Sequence, residues 1–229
     1  MKQTSSEEKH ALILWGGWSG HQPEEVAHIF GDALQQHGFT ATLSPTLDAL
    51  LDTREMERAS LIIPIYTMST ITQPQLAALL AAVQRGVGLG GCHGGMCDAF
   101  RQETEYQFMT GGQWVAHPGG ATVTYPVQIT NHDHFITAGS RDFSVTSEQY
   151  YLHVDPANVV LATTRFPTVD GPHVPNGQVD MPVIWTKYYG RGRVFYCSIG
   201  HQAHNVRQPE VLQLCTRGLL WAACAEDRA

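Results

Sequence analysis

Short apolar runs alternate with amphipathic stretches through the first half of the chain. The run ALILW at residues 11–15 stops at two glycines, which predicts a buried strand that ends in a tight loop. Residues 23–37 then place apolar side chains at helical spacing behind a proline, which predicts a helix. The same patterns recur as strands at 39–43, 61–66 and 87–92 and as a helix at 74–85. This alternation predicts parallel strands joined by right-handed crossovers, as in a flavodoxin-like, doubly wound α/β sheet.

In the second half of the chain, most of the hydrophobic patterns are those of β-strands. Strands are predicted at residues 122–130, 159–164, 183–187 and 193–198, and an amphipathic helix is predicted at 209–224. No internal repeat or linker interrupts the pattern, and 229 residues suit one hydrophobic core. The sequence therefore predicts a polar tail at residues 1–10, followed by a single α/β domain at 11–225 with a β-rich C-terminal half.

The net charge and the cysteines limit which partners the protein can bind and in which cellular compartment it is expected. A net charge of −7 with only 14 Lys and Arg residues argues against a nucleic-acid partner, which needs a basic surface. The first ten residues are polar and no apolar run reaches membrane-spanning length, so neither a secretory signal nor a membrane span is expected. Five cysteines without CxxC spacing indicate reduced thiols. These features predict a cytoplasmic protein with a small neutral ligand.

The segment GGCHGG at residues 90–95 is the most informative candidate for chemistry. It joins a predicted strand to a helical stretch, and a side chain on such a sharp turn stands above the sheet near the positive end of the helix. Centred on Cys92, the turn presents a thiol whose pKa the helix end would lower. Centred on His93, it presents an imidazole. Spacing alone leaves both registers open.

A second candidate, His201, follows a glycine at the end of another predicted strand, where a catalytic base would stand above the sheet edge. In a cysteine-dependent amidohydrolase of this kind, a carboxylate two residues further along orients the histidine that activates the cysteine. Here that position is Ala203, so the orienting carboxylate is missing. A hydrolase that uses Cys92 and His201 is therefore kept only as the alternative enzyme hypothesis.

A polar segment at residues 147–153, SEQYYLH, combines the carboxylate of Glu148 with the imidazole of His153. It is too polar for a core strand, so we expect it on the rim of the sheet. Aromatic residues that include Trp18 and Tyr151 occur in the same group of loops, and such faces stack on sugar rings. The glycine-rich loop after the first strand lacks the GxGxxG and GxxxxGK[ST] patterns, so no nucleotide cofactor is expected.

Taken together, these segments resemble the trehalose-utilisation (ThuA-like) family of the class I glutamine amidotransferase-like superfamily over nearly the whole chain. The matching motifs are LWGGW at residues 14–18, GCHGG at 91–95, GGQWVAHP at 111–118, SEQY at 147–150, GRVFY at 192–196 and GH at 200–201. The resemblance implies a glutamine amidotransferase-like fold in which histidine replaces the superfamily's cysteine at the turn. It therefore selects the register centred on His93.

The resemblance also implies a carbohydrate substrate, for which we favour a 3-keto-glycoside or related oxidised sugar, and a functional link to a sugar oxidoreductase. A ketone acidifies the neighbouring C–H, so a paired imidazole and carboxylate could isomerise, eliminate or cleave such a sugar. The expected catalytic residues, which are also the candidate ligands of a divalent metal ion, are His93, Glu148 and His201. The expected substrate-binding residues are Trp18, His21, Gln113, His117, Tyr151 and His153.

The resemblance favours an enzyme of the isomerase, lyase or hydrolase type. A non-catalytic sugar-binding module that kept the fold and lost the chemistry is the competing hypothesis. The sequence leaves open whether a divalent metal ion is bound and whether the protein is a homo-oligomer.

Overall fold

Eleven β-strands are present in the computed structural model of the protein, which describes residues 9–228. They are β1 (Lys9–Trp15), β2 (Phe39–Ser44), β3 (Leu61–Ile65), β4 (Gly88–Cys92), β5 (Gly112–Ala116), β6 (Val123–Ile129), β7 (Phe143–Ser147), β8 (Tyr151–Val154), β9 (Val159–Phe166), β10 (Val179–Tyr189) and β11 (Gly192–Cys197). Nine of them form one sheet in the order β2-β1-β3-β4-β11-β10-β9-β6-β7, while β5 and β8 form a separate ribbon.

Seven α-helices accompany the strands in the same part of the chain. They are α1 (Pro23–Gln36), α2 (Thr53–Arg58), α3 (Gln73–Arg85), α4 (His93–Cys97), α5 (Thr104–Thr110), α6 (Ala203–Val206) and α7 (Pro209–Ala222). Two of them, α1 and α7, pack on one face of the large sheet, whereas α3 and α5 contribute to the core on the other face. No helix in the described range is long and apolar enough to cross a membrane.

The side chains of β1 show why the first strands are apolar at every position. Ala11 and Ile13 pack into the core that contains α1 and α7, whereas Leu12 and Leu14 pack into the core on the opposite face. Alternate side chains of a strand point to opposite faces, so a strand with helices on both sides must be apolar throughout. Strands β2, β1, β3, β4 and β11 pair in parallel. The predicted doubly wound α/β fold is confirmed.

The later strands of the sheet pair antiparallel, from β11 through β10, β9 and β6 to β7. Along β6, buried side chains alternate with more exposed ones, as expected for a strand that has only one face against the core. The β-rich C-terminal half is thus present. Strand β1 begins two residues before the predicted start at residue 11, and residues 1–8 of the predicted tail lie outside the described residues.

The parallel strands β1, β3, β4 and β11 end at a common edge of the sheet. The segments that directly follow them carry His21, Thr67, His93 and His201, respectively. The chain between β7 and β8 also reaches this edge, where Glu148 contacts three of the histidines. In open α/β sheets, ligands bind outside the carboxyl ends of the strands, so a binding site is expected at this edge.

Candidate functional site

The turn between β4 and α4 places His93, not Cys92, at its apex. His93 has a φ of +49°, which lies in the left-handed backbone region that residues other than glycine rarely adopt. Cys92 is still extended, with a φ of −136°. Gly95 is required because a Cβ there would lie 2.9 Å from the Cα of Ile65, so the turn packs directly on the end of β3. The backbone therefore adopts the sharp strand-to-helix turn that projects a functional side chain above a sheet.

Four side chains converge above this turn, and we call them the histidine–glutamate cluster: His21, His93, Glu148 and His201. One nitrogen or oxygen atom from each lies within 4.8 Å of those of the others. Nε2 of His93 is 3.1 Å from Oε2 of Glu148, and Nδ1 of His201 is 3.3 Å from Oε1 of the same carboxylate. Nε2 of His21 lies 3.9 Å from Oε2. One carboxylate is thus surrounded by three imidazoles.

Hydrogen bonds on the far side of two rings fix how these imidazoles face the carboxylate. Nδ1 of His93 donates to the backbone carbonyl of Ser198 at 2.8 Å. Nδ1 of His21 is hydrogen-bonded to the hydroxyl of Thr67, also at 2.8 Å. In the tautomer with the proton on Nδ1, each ring directs the lone pair of Nε2 toward Glu148. Metal-binding histidines are commonly held in this way by a partner on the second nitrogen.

Burial determines the protonation of the cluster. Burial, together with the neighbouring imidazoles of His93 and His201, lowers the pKa of His21 to about 3. Burial also lowers the pKa of His93. For Glu148, burial alone would raise the pKa, but the contacts with His201 and His93 outweigh it, so its pKa is lowered. At neutral pH the ionised carboxylate of Glu148 therefore faces the neutral imidazoles of His21 and His93.

The chemistry of this donor set fits a metal ion. Within the described residues, Nδ1 of His201 is buried without a hydrogen-bond partner, although it lies beside the Glu148 carboxylate. Buried polar atoms are normally paired, so a buried ring nitrogen without a hydrogen bond is unusual unless it binds a ligand. Imidazoles with one carboxylate suit zinc and other first-row transition metals, whereas Mg²⁺ and Ca²⁺ prefer all-oxygen sites. The four side chains could hold such an ion.

Aromatic side chains surround the cluster. The Tyr150 ring stacks on His93 with its centroid 3.8 Å away. On another side, the Trp18 ring meets His21 edge-on at 4.7 Å. The His117 side chain is 37% exposed, and its Nε2 lies 3.7 Å from Oε1 of Glu148. The cluster is thus flanked by the aromatic rings of Tyr150 and Trp18, and the partly exposed imidazole of His117 lies beside its carboxylate.

Three of the expected substrate-binding residues, Trp18, His21 and His117, lie in or beside the cluster. The other three make contacts elsewhere. Gln113 donates to the Asp98 carboxylate at 3.4 Å and to the backbone carbonyl of Trp114 at 2.9 Å. The Tyr151 ring packs against Phe166 and His173. His153 is exposed and pairs with Gln113 across the two-stranded ribbon. A role for these three in substrate binding stays a prediction.

The expectation that residues 147–153 lie on the rim was wrong for the first four of them. Ser147, Glu148, Gln149 and Tyr150 are all buried. Hydrogen bonds account for part of this burial: the amide of Gln149 donates to the Thr164 hydroxyl at 2.8 Å. Among the described residues, Oγ of Ser147 and Oε1 of Gln149 have no hydrogen-bond partner. These residues connect β7 to β8 at the edge of the sheet, and their burial places Glu148 against His93.

Four residues that contribute to the site were missed from the sequence. Thr67 orients His21, and the backbone carbonyl of Ser198 orients His93. The Tyr150 ring stacks on the His93 ring. Asp98 is buried next to Gln113 and forms a two-pronged ion pair with Arg101. Of these four, only Tyr150 could have been proposed from the sequence, because it belongs to the SEQY motif that carries the family resemblance. The other contacts depend on loops meeting in three dimensions.

Cys92 lacks the properties of a nucleophile. Its side chain is buried, and burial together with the neighbouring Cys197 raises the pKa of its thiol. A reactive cysteine needs the thiolate, which a lowered pKa and partial exposure provide. The expectation that the helix end would lower the pKa of this thiol was wrong, because desolvation dominates. The cysteine-hydrolase alternative therefore gains no support from the geometry.

The chain has a glutamine amidotransferase-like α/β fold with a buried histidine at the apex of the turn after β4. The chain belongs to the ThuA family, described as trehalose utilisation, whose model matches residues 10–222. No protein of curated function shows a significant sequence match to this chain.

Solved structures with the same fold come from several bacteria. A ThuA-like protein of Bacteroides uniformis ATCC 8492 superposes with a TM-score of 0.75 at 16% identity, covering 97% of this chain and 94% of its own. A ThuA-like protein of Parabacteroides merdae ATCC 43184 gives 0.74 at 16% identity, covering 94% and 90%. A cytoplasmic protein of Salmonella typhimurium gives 0.65 at 12% identity, covering 93% and 98%. At these identities the likeness concerns the fold.

Proposed function

We propose that this protein is a metal-assisted enzyme that acts on a keto-glycoside or a related oxidised sugar. The observation that carries the proposal is the convergence of the histidine–glutamate cluster at the ligand-binding edge of the sheet. The family description, trehalose utilisation, supports a carbohydrate as the substrate. The exposed indole of Trp18 beside the cluster offers the kind of apolar face on which a sugar ring stacks.

The cluster is suited to stabilise negative charge on a carbonyl oxygen. A divalent metal ion held by its four side chains would polarise the keto oxygen and acidify the neighbouring C–H. The Glu148 carboxylate would offset one of the two positive charges. Thr67 and Ser198 hold His21 and His93 in place, so these imidazoles need no reorientation during the reaction.

Proton transfer is assigned to His117 in this proposal. It lies outside the four clustered side chains, faces solvent and contacts Glu148 through Nε2. From this position an imidazole can accept the proton from the acidified C–H and return it to a neighbouring carbon or to a leaving oxygen. Elimination follows from these two proton transfers, whereas isomerisation also requires the proton of the neighbouring hydroxyl to move to the former keto oxygen.

Metal analysis of the purified protein is the first test. We expect stoichiometric transition metal in the wild type, loss of that metal in His93→Ala, and retention in His28→Ala, which removes an exposed histidine on α1. Turnover of 3-keto-trehalose and methyl 3-keto-α-glucoside is then measured before and after treatment with a chelator. Activity that is lost with the chelator and restored by added metal supports the full proposal.

Other outcomes would redirect the proposal. Turnover that persists in fully metal-free protein would leave acid/base catalysis by the cluster without a metal ion. Sugar binding without turnover would favour a non-catalytic module. Absence of both binding and turnover with every keto sugar would end the carbohydrate assignment.

We further propose a cytoplasmic location and a sugar oxidoreductase as the source of the substrate. The thiols of Cys92, Cys97, Cys197 and Cys215 are free and buried, which suits a reducing compartment. The Salmonella protein with the same fold is itself described as cytoplasmic. A keto sugar forms by oxidation of a secondary hydroxyl, so an oxidoreductase is the reaction class that would supply it.

A further inference from the structure

We propose that the hydroxyl group of Tyr150 donates a hydrogen bond to an oxygen atom of the ligand bound at the histidine–glutamate cluster, and that it thereby stabilises negative charge on that oxygen. This inference rests on the proposed function, since it adds a catalytic residue to the same site. The Tyr150 ring lies nearly parallel to two imidazoles, those of His93 at 3.8 Å and His117 at 6.4 Å. Both imidazoles contact the Glu148 carboxylate. The phenol therefore belongs to the surroundings of that carboxylate.

The Tyr150 hydroxyl has no hydrogen-bond partner among the described residues, although Tyr150 is only 3% exposed. The other buried tyrosines between residues 9 and 228 each donate to a backbone carbonyl at 3.1 Å: Tyr106 to Met96, Tyr125 to Glu148 and Tyr196 to His93. A buried phenol normally finds such a partner. The exception at Tyr150 indicates that its partner is a ligand and not another part of the chain.

The contacts around Gly94 show where the hydroxyl lies. A Cβ at this position would be 2.9 Å from the Tyr150 hydroxyl, 2.8 Å from Cε1 of His21 and 2.9 Å from Cγ2 of Thr67. Three groups from separate segments thus converge on one point. Two of them already belong to the site, because Thr67 orients the His21 ring. The hydroxyl therefore lies beside the cluster, within reach of a ligand that the cluster holds.

A donor at this position is suited to the chemistry of a keto sugar. When the neighbouring C–H loses its proton, negative charge moves to the keto oxygen, so a hydrogen bond to that oxygen becomes stronger. The stacking on His93 holds the phenol in place before the ligand binds. Tyrosine is protonated at neutral pH and can donate. The proton stays on Tyr150, and the transfer of the C–H proton remains with His117.

Tyr150→Phe tests the role of the hydroxyl because it keeps the ring that stacks on His93. We expect kcat for methyl 3-keto-α-glucoside to fall by about 100-fold, the usual loss when one donor to a developing oxyanion is removed, with KM nearly unchanged. The metal content should equal that of the wild type, since no atom of the four clustered side chains is removed. An unchanged kcat would overturn the proposal, and so would loss of the metal ion.

The matched control is Tyr106→Phe, which removes a buried hydroxyl that already donates to a backbone carbonyl. We expect opposite patterns in the two variants. Tyr106→Phe loses an interior hydrogen bond, so its urea midpoint should fall while kcat stays unchanged. Tyr150→Phe loses no hydrogen bond within the described part of the chain, so its midpoint should stay the same or rise while kcat falls. Equal falls in midpoint would overturn the proposal, because the Tyr150 hydroxyl would then have a structural partner.

Titration calorimetry with acetohydroxamate separates this inference from the proposed function. This probe brings oxygen atoms to the Zn²⁺-loaded protein without any sugar. If the wild type turns over no keto sugar, the proposed function fails, but the probe still reports whether the hydroxyl reaches a bound oxygen. Binding about tenfold weaker in Tyr150→Phe than in the wild type supports the inference. Equal affinities, or no binding by the wild type, overturn it.

Discussion

Nε2 of His93 and Oε2 of Glu148 lie 3.1 Å apart in the interior of the protein, although 55 residues separate them in the chain. His93 sits on the turn after a parallel strand, and Glu148 lies between two strands of the antiparallel half. The contact therefore joins the two halves of the sheet at the candidate site. It also places an ionised carboxylate against a buried neutral imidazole, which an intervening cation would stabilise.

Added Zn²⁺ is expected to stabilise metal-free protein through Glu148. With free metal at about 100 times its dissociation constant, binding contributes about 2.7 kcal/mol, which raises the Tm of a chain of this length by about 5 °C or more. Glu148→Gln keeps the shape of the side chain but removes its charge, so the rise in Tm should largely disappear. Glu57→Gln, on the exposed surface of α2, should retain it. An unchanged rise in Glu148→Gln would remove Glu148 from the binding site.

Gly94→Ala is expected to destabilise the protein by about 1–3 kcal/mol, the usual cost of overpacking. A Cβ at position 94 would lie 2.8 Å from Cε1 of His21 and 2.9 Å from the hydroxyl of Tyr150. Both rings would have to move away from the cluster, so metal-dependent stabilisation should fall as well. Denaturant unfolding with and without Zn²⁺ measures both effects.

Gly31→Ala is the control for that substitution. Gly31 lies within α1, and a Cβ there would make its closest contact at 3.4 Å, with a Leu43 methyl group. Alanine favours a helix over glycine by about 1 kcal/mol, so stability should stay the same or rise. Equal losses for Gly94→Ala and Gly31→Ala would contradict the crowding assigned to position 94.

The stability of the metal-free protein is expected to fall as the pH decreases from about 6.5 toward 3. The pKa of His21 is about 3 in the folded protein but 6.5 as its ordinary value, so the unfolded chain binds a proton over this range and the folded protein does not. Each such proton costs about 1.4 kcal/mol per pH unit. Below pH 4.5 the lowered pKa of Glu148 acts in the same direction.

Urea unfolding at a series of pH values checks this dependence. His21→Asn removes the titrating group, so its unfolding free energy should vary less steeply between pH 6.5 and 4.5. His28→Asn, at an exposed position of α1, should follow the wild type. A wild-type curve that is flat across this range would show that His21 titrates normally in the folded protein.

One thiol of the five is expected to react rapidly with a thiol reagent in the native protein. Cys224 is exposed, whereas the other four cysteines are buried. Burial raises the pKa of Cys92 and of Cys97, which keeps both as unreactive thiols. Five thiols should react after denaturation, and Cys224→Ser should abolish the rapid phase. Rapid labelling of Cys92 would revive the cysteine-hydrolase alternative.

Much of the fold could be predicted because its signals are local. The run at residues 11–15 is apolar at each position, and this pattern indicates a strand buried on both faces wherever it sits in the sheet. The glycines around Cys92 and His93 likewise predicted a strand-to-helix turn. The choice between these two residues came from the family resemblance, and the φ of +49° at His93 agrees with it.

The contacts within the site were decided by the tertiary structure. The family resemblance named Glu148 with His93 and His201 and gave His21 as a substrate-binding residue, but the local patterns around His21 and Glu148 do not indicate that both meet His93. Residues 147–150 are polar, and local patterning placed them on the rim. They are buried because they meet distant parts of the chain: Gln149 donates to the Thr164 hydroxyl of β9, and Glu148 faces the histidines of the cluster. The sequence determined which strands and turns form, since these depend on neighbouring side chains. Only the packing of the two halves of the sheet decided which polar groups share one buried space, and hence their pKa values and their capacity to hold a metal ion.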